Sequence, residues 1–89
     1  MPKMIITHGV ADVDTWLSFK AERAEAIAAM GASQIVDLVA EDGSNAVAIS
    51  ANVDDVAAVL AATSSPSPEL GAAMGRHGVL PPLTIYVER

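Results

Sequence analysis

The feature that most constrains this chain is the order in which its periodicities change: strand, helix, strand, strand, helix, strand, all within 89 residues. Met4 to Val10 alternates, so that Ile6, His8 and Val10 share one face of a strand while Ile5, Thr7 and Gly9 share the other. The stretch ADVDTW then opens a helix: Asp12 is placed to cap free N–H groups, and Asp14 suits the positive end of the helix dipole. From Val13 onward, Trp16, Leu17, Ala24, Ile27 and Ala28 recur at helical spacing, and Gly31 stands where a left-handed residue ends the helix. Glu22 and Glu25 fall on the outer side.

Ser33 to Val39 reads as a second strand, and the turn-forming EDGSN at 41–45 joins it to Ala46–Val53 as a hairpin. The third strand has a bulky face (Val47, Ile49, Ala51, Val53) and a small one (Ala46, Ala48, Ser50, Asn52), and the small face leaves room for a close-packed helix or a bound molecule. Asp54 and Asp55 cap a second helix with Val56, Val59 and Leu60 as its inward stripe. After the break TSSPSP, Ser67 and Pro68 start a brief extra helical segment, ELGAAMGRHG, which Pro81 and Pro82 stop. Leu83, Ile85 and Val87 then alternate with Thr84, Tyr86 and Glu88 in a last strand.

Two strand–helix–strand units around a central hairpin give an α+β, ferredoxin-like βαββαβ fold over residues 1–89 as one domain. It has a four-stranded antiparallel sheet with both helices on one face. The strands are apolar on both sides, so the other face needs a cover, and the symmetric answer is a second copy of the chain, giving a homodimer closed sheet to sheet.

Composition narrows the function. A chain of this length buries roughly 60 to 65% of its unfolded surface and is marginal alone, and a 52% hydrophobic content points to surface hidden in an interface or a ligand cavity. With no cysteine, disulfides, thiolate catalysis and cysteine-bound metal are excluded. A net charge of −6 opposes nucleic acid and anionic lipid, and apart from Lys3 and Arg89 at the two ends only Lys20, Arg23 and Arg76 remain to meet an anion. No apolar run approaches the ~18 residues of a membrane span, and the opening MPKMIITHGV is too quickly polar for a signal peptide. A soluble, cytoplasmic protein is expected, with neither nucleic acid nor membrane as partner.

Several residues are candidates for chemistry, each against a plainer alternative. His8, in mid-strand, would be partly desolvated and so a neutral base near pH 7, or else simply a hydrogen-bonded barrel histidine. Trp16 is the only tryptophan; its N–H suits a ligand oxygen and its ring an aromatic substrate, although core packing is the commoner fate. Lys20 and Arg23 continue one ridge with Trp16 and suit an anionic or phenolate ligand, the alternative being a solvated edge. Arg76 and His77, between Gly75 and Gly78, sit where a loop can deliver reactive groups. Tyr86 presents its hydroxyl either to a cavity or to a dimer partner. The glycines at 71, 75 and 78 follow no strand and make no dinucleotide fingerprint. Two histidines so far apart, with no spaced carboxylate, supply no metal site.

HGVADVDTW at 8–16, Gly31, the SNAVAIS strand and SPELGAAMGRHGVLPPLTIYVE at 67–88 together resemble the dimeric α/β-barrel superfamily, in its small branch of antibiotic-biosynthesis-monooxygenase-like, or cyclase-like, proteins. The resemblance implies a homodimeric barrel with a cavity between sheet and helices in each protomer. It also implies cofactor-independent oxygenation, in which a phenol, anthrone or quinol is deprotonated and reduces oxygen directly. Members of the branch carry an aromatic residue before the helical tryptophan, where this chain has Val13, and a histidine or arginine in the region of Arg23 and Ile27. The expected function is binding of an aromatic or polyketide-like small molecule, as a monooxygenase with His8 or His77 as base and Trp16 and Arg76 holding the oxyanion. The alternatives are a non-catalytic ligand-binding or dimerisation module, haem binding or degradation with His77 as axial ligand, and polyketide cyclisation.

Overall fold

The structure, a computed structural model, describes residues 2–89. It contains β1 (Lys3–Val10), α1 (Val13–Ser18), α2 (Lys20–Ala28), β2 (Ala32–Val39), β3 (Ala46–Val53), α3 (Val56–Ser64), α4 (Pro68–Arg76) and β4 (Val79–Val87). The strands form one antiparallel sheet in the order β2-β3-β1-β4, the ferredoxin-like arrangement expected from the sequence. The expected caps are in place: Asp12 accepts from the Thr15 N–H, Asp55 from that of Ala58 and Ser67 from that of Leu70. Gly31 closes the first helical region at φ +88°.

One face of the sheet carries the core. Met4, Ala51, Val53 and Val59 are buried at one end, and Val10, Trp16, Val47 and Ile49 at the other, with Ile27 and Ile35 packed against both groups. The bulky face of β3 therefore lies under the helices, and its small face looks outward. Leu17 and Leu60, expected to face inward, are instead 37% and 39% exposed, because Trp16 and Val59 beside them take the inward positions.

Three local departures from the sequence reading shape the molecule. First, the long first helix is broken at Phe19 (φ −97°, ψ 15°). There the Trp16 carbonyl is shared between the Phe19 N–H at 3.2 Å and the Arg23 guanidinium at 2.9 Å. Second, Pro81 and Pro82 lie within β4 rather than ahead of it. An edge strand has a partner on one side only, and the prolines fall in the register shift between Thr7 and Gly9, where Leu80 and Thr84 pair and the residues between them do not.

Third, β2 carries a bulge. Its pairing jumps from Ser33↔Asn52 to Val36↔Ser50, one residue more than β3 provides, with Gln34 at φ +51°. A slip of one residue exchanges the faces of a strand. Beyond the bulge, Asp37 pairs with the buried Ile49 and turns toward the helices, while Val36 and Leu38 pair with Ser50 and Ala48 and turn outward. The outer face of the sheet consequently displays Val36, Leu38 and Tyr86 at 48%, 45% and 58% exposure.

Candidate functional site

Between the sheet and the helices lies a cavity of about 110 Å³. Its walls are mostly apolar, with Ile6 and Ile49 from the sheet, Ile27 and Met30 from α2, and Leu70 and Met74 from α4. Into these walls are set His8, Trp16, Glu22, Arg23 and His77. Strand alternation brings His8 to this face of β1, the helical repeat brings Trp16 and Arg23, and the end of α4 delivers His77.

Trp16 is fully buried, and two side chains lean on it. The His8 ring meets the indole edge to face with centroids 6.1 Å apart, and the Arg23 guanidinium lies 3.9 Å above it, a cation–π contact. Arg23 donates through Nη1 to the Trp16 carbonyl at 2.9 Å and through Nε to Asp37 Oδ1 at 3.1 Å. Both side chains of that ion pair are out of water, at 6% and 3% exposure, which makes a buried, charge-assisted contact.

His8 is held in one tautomer. Its Nδ1 lies 2.8 Å from the Gly9 carbonyl, an atom that only accepts, so the proton sits on Nδ1 and the lone pair is left on Nε2. Burial lowers its pKa; the Gly9 hydrogen bond opposes that, and the positive charge of Arg23 reinforces it. His77 stacks on Phe19 with centroids 4.5 Å apart, and its Nε2 is 3.5 Å from Glu22 Oε1, too long for a formed hydrogen bond. Its pKa is also lowered, by burial first and then by Arg23, against the opposing pull of Glu22. Glu22 is engaged by Arg76, which keeps its carboxyl below the usual range.

Among the described residues, Trp16 Nε1, Arg23 Nη2 and His77 Nε2 are buried without a hydrogen-bond partner. Each such group costs about 1–3 kcal/mol unless something satisfies it. All three belong to residues that line the same cavity.

The structure thus brings together His8, Trp16, Arg23 and His77 and leaves Lys20, Arg76 and Tyr86 outside the cavity. Lys20 is exposed just past the Phe19 break, which turns it off the ridge shared by Trp16 and Arg23. Arg76 lies in an outer groove of about 540 Å³ between α2 and α4, where Glu22 fixes it. Tyr86 stands on the far face of the sheet, opposite Ile5 in the register. Sequence reasoning missed Asp37, Phe19 and Glu22. Asp37 has a legible signal, a single carboxylate inside the apolar run IVDLV; Glu22, on the outer side of the helix by its spacing, sits at the rim, 43% exposed.

The cavity is smaller than the roughly 300 Å³ of ordinary ligand sites and close to the ~150 Å³ void known to hold a single benzene ring. A porphyrin does not fit it. Among the described residues no group of three or more His, Asp or Glu is placed to hold a metal, and no helix is long and apolar enough to cross a membrane.

No family model matches the sequence, nor does any curated protein. Solved structures do share the fold. An antibiotic biosynthesis monooxygenase matches with a TM-score of 0.67 at 13% identity, over 100% of this chain and 97% of that one. A variant of SnoaB, a cofactor-independent oxygenase from Streptomyces nogalater, matches with a TM-score of 0.67 at 19% identity, over 99% and 92%. A Chloroflexus aurantiacus protein provisionally named an antibiotic biosynthesis monooxygenase matches with a TM-score of 0.59 at 21% identity, over 100% and 94%. At these identities the likeness is one of fold, and that fold is the one the sequence resemblance implied.

Proposed function

We propose that the chain binds a small hydroxylated aromatic molecule in the cavity beneath its helices and oxygenates it without a metal or organic cofactor. The observation that carries this reading is the fixed tautomer of His8, a neutral imidazole whose Nε2 lone pair is kept available by the Gly9 carbonyl. The fold shared with a cofactor-independent oxygenase supports it further.

In this reading His8 Nε2 takes the proton of a phenolic hydroxyl, and Arg23, with the Trp16 N–H, receives the oxyanion that results. The electron-rich ring then combines with dioxygen at the carbon para to that oxygen, giving a hydroperoxide. Loss of water leaves a second carbonyl. One atom of dioxygen ends in the product and one in water, the ring supplying all the electrons, so no external reductant enters. The oxyanion role expected of Arg76 passes to Arg23, because Arg76 lies outside the cavity walls.

The outer face of the sheet, with Val36, Leu38 and Tyr86 exposed, is proposed as the contact with a second copy of the chain. A second reading, a carrier that binds such molecules without turning them over, draws on the same apolar walls and unpartnered donors.

One experiment separates the two readings: oxygen uptake by the purified, chelator-treated protein with an electron-rich one-ring phenol that carries hydrogen para to its hydroxyl, corrected for autoxidation, with the product mass recorded. The oxygenase reading predicts uptake above the buffer rate and a product with one oxygen more and two hydrogens fewer than the phenol. Binding without uptake establishes the carrier.

A further inference from the structure

We infer that Asp37 is a positioning residue that holds Arg23 against Trp16, and that the guanidinium so held makes the cavity bind an anionic one-ring ligand more tightly than a neutral ring of similar size. The inference rests on the reading of the cavity as a small-molecule site and adds to it a charge preference, a size limit and the residue that sets them.

The β2 bulge decides which side chains of that strand face the cavity. Paired without it, β2 would turn Val36 and Leu38 toward the core and Asp37 toward the outer face. With Gln34 at φ +51° the strand does the reverse. It turns two large apolar side chains to the face proposed to meet a second copy and buries a carboxylate where an apolar residue would pack, and the buried charge is the part of that exchange that packing does not explain. A conflict of this kind between local and global preference marks functional positions.

What the inversion achieves is specific. Asp37 Oδ1 engages only the Nε edge of Arg23, and the Trp16 carbonyl takes Nη1, so two of the three guanidinium nitrogens are fixed and Nη2 is left over. The indole face beneath the guanidinium fixes its plane. Of the other charged or titratable side chains in the cavity wall, His8 and His77 have lowered pKa values that favour the neutral state, and Glu22 is held at the rim by Arg76. Among the described residues Arg23 is therefore the one cation lining the cavity, and its spare N–H donors and that of Trp16 lack an acceptor. An anionic oxygen on a body of about one ring meets these requirements; a fused polycycle exceeds the ~110 Å³ available.

The test uses 4-nitrophenolate and nitrobenzene, an anion and a neutral ring of similar size, with binding measured anaerobically by titration calorimetry at a pH where 4-nitrophenol is ionised. The wild-type protein is expected to prefer the phenolate by about tenfold or more, the scale of one charge-assisted hydrogen bond. Asp37→Ala should abolish that preference, and Asp37→Asn, which keeps an acceptor for Nε, should restore it to within about threefold. The preference is a ratio, so a change in the folded fraction cancels from it. A second readout needs no variant: in the wild type the Arg23 Nε–H resonance should be exchange-protected and should shift with 4-nitrophenolate but not with nitrobenzene. The inference is overturned by wild-type protein that binds neither compound or shows no preference, by an unchanged preference in Asp37→Ala, or by Asn failing to restore it. Absence of oxygen uptake would remove the oxygenase reading and leave this result untouched.

Discussion

The two faces of the sheet invert the usual rule of burial, and they do so in complementary ways. Toward the helices, where apolar packing is expected, the molecule buries two histidines, an arginine and a carboxylate, and among the described residues three buried polar nitrogens are without partners. Toward the open side, where polar groups are expected, it shows Val36, Leu38 and Tyr86. The β2 bulge links the two, since the same slip that sends Asp37 inward sends Val36 and Leu38 outward. The contrast teaches that each face is incomplete in its own way: the inner face lacks an acceptor and the outer face lacks apolar cover.

The largest effect is expected from taking apart the buried ion pair. Arg23→Ala strands the Asp37 carboxylate and should destabilise the fold by about 3–5 kcal/mol, read as a loss in denaturant unfolding. The double variant Arg23→Met with Asp37→Leu should recover most of that stability while binding no phenolate. A stable double variant that still binds would show that the Arg23–Asp37 pair serves no ligand.

The next effect concerns rate. His8→Ala should slow oxygen uptake by about a hundredfold or more with ligand affinity little changed. The pH profile follows from the lowered pKa: the neutral base is present above the ordinary value of 6.5, and activity declines as pH falls below 6.5 through the lowered value. Stability falls over the same window, because the unfolded chain binds the proton more readily than the native one. A rate independent of pH across that window would remove His8 from the chemistry.

The outer face is tested by Leu38→Lys, which should weaken self-association by about tenfold or more in analytical ultracentrifugation while leaving the monomer folded. A wild-type protein that is monomeric at micromolar concentration would leave the outer face without its proposed partner. The smallest effect belongs to Glu22→Gln at the rim. It should hardly change the melting temperature, and it should lower the His77 pKa further, because the carboxylate that opposes the other influences on that ring is gone.

Much of this was legible in the sequence, and the parts that were not have identifiable causes. Alternation along 4–10 places His8 on the core face, and helical spacing places Trp16 there too, because both signals are local and periodic. Lys20 follows Trp16 by one turn and is expected on the same ridge, yet the chain breaks at Phe19 and Lys20 is exposed, and at that break the Trp16 carbonyl accepts from Arg23, a contact no periodicity encodes. Asp37 shows the same limit more strongly: its side is decided by a single left-handed residue, Gln34, of a type that does not advertise the conformation. Arg76 was placed with His77 because they are adjacent in sequence, but at the end of α4 consecutive residues point different ways, one to the cavity and one to the groove.

The most direct measurement of the central claim is the nitrogen-15 NMR spectrum of the His8 ring near pH 7. A neutral imidazole protonated on Nδ1, with an unprotonated Nε2 that responds to added 4-nitrophenol, is expected. An imidazolium, or a ring protonated on Nε2, would contradict it.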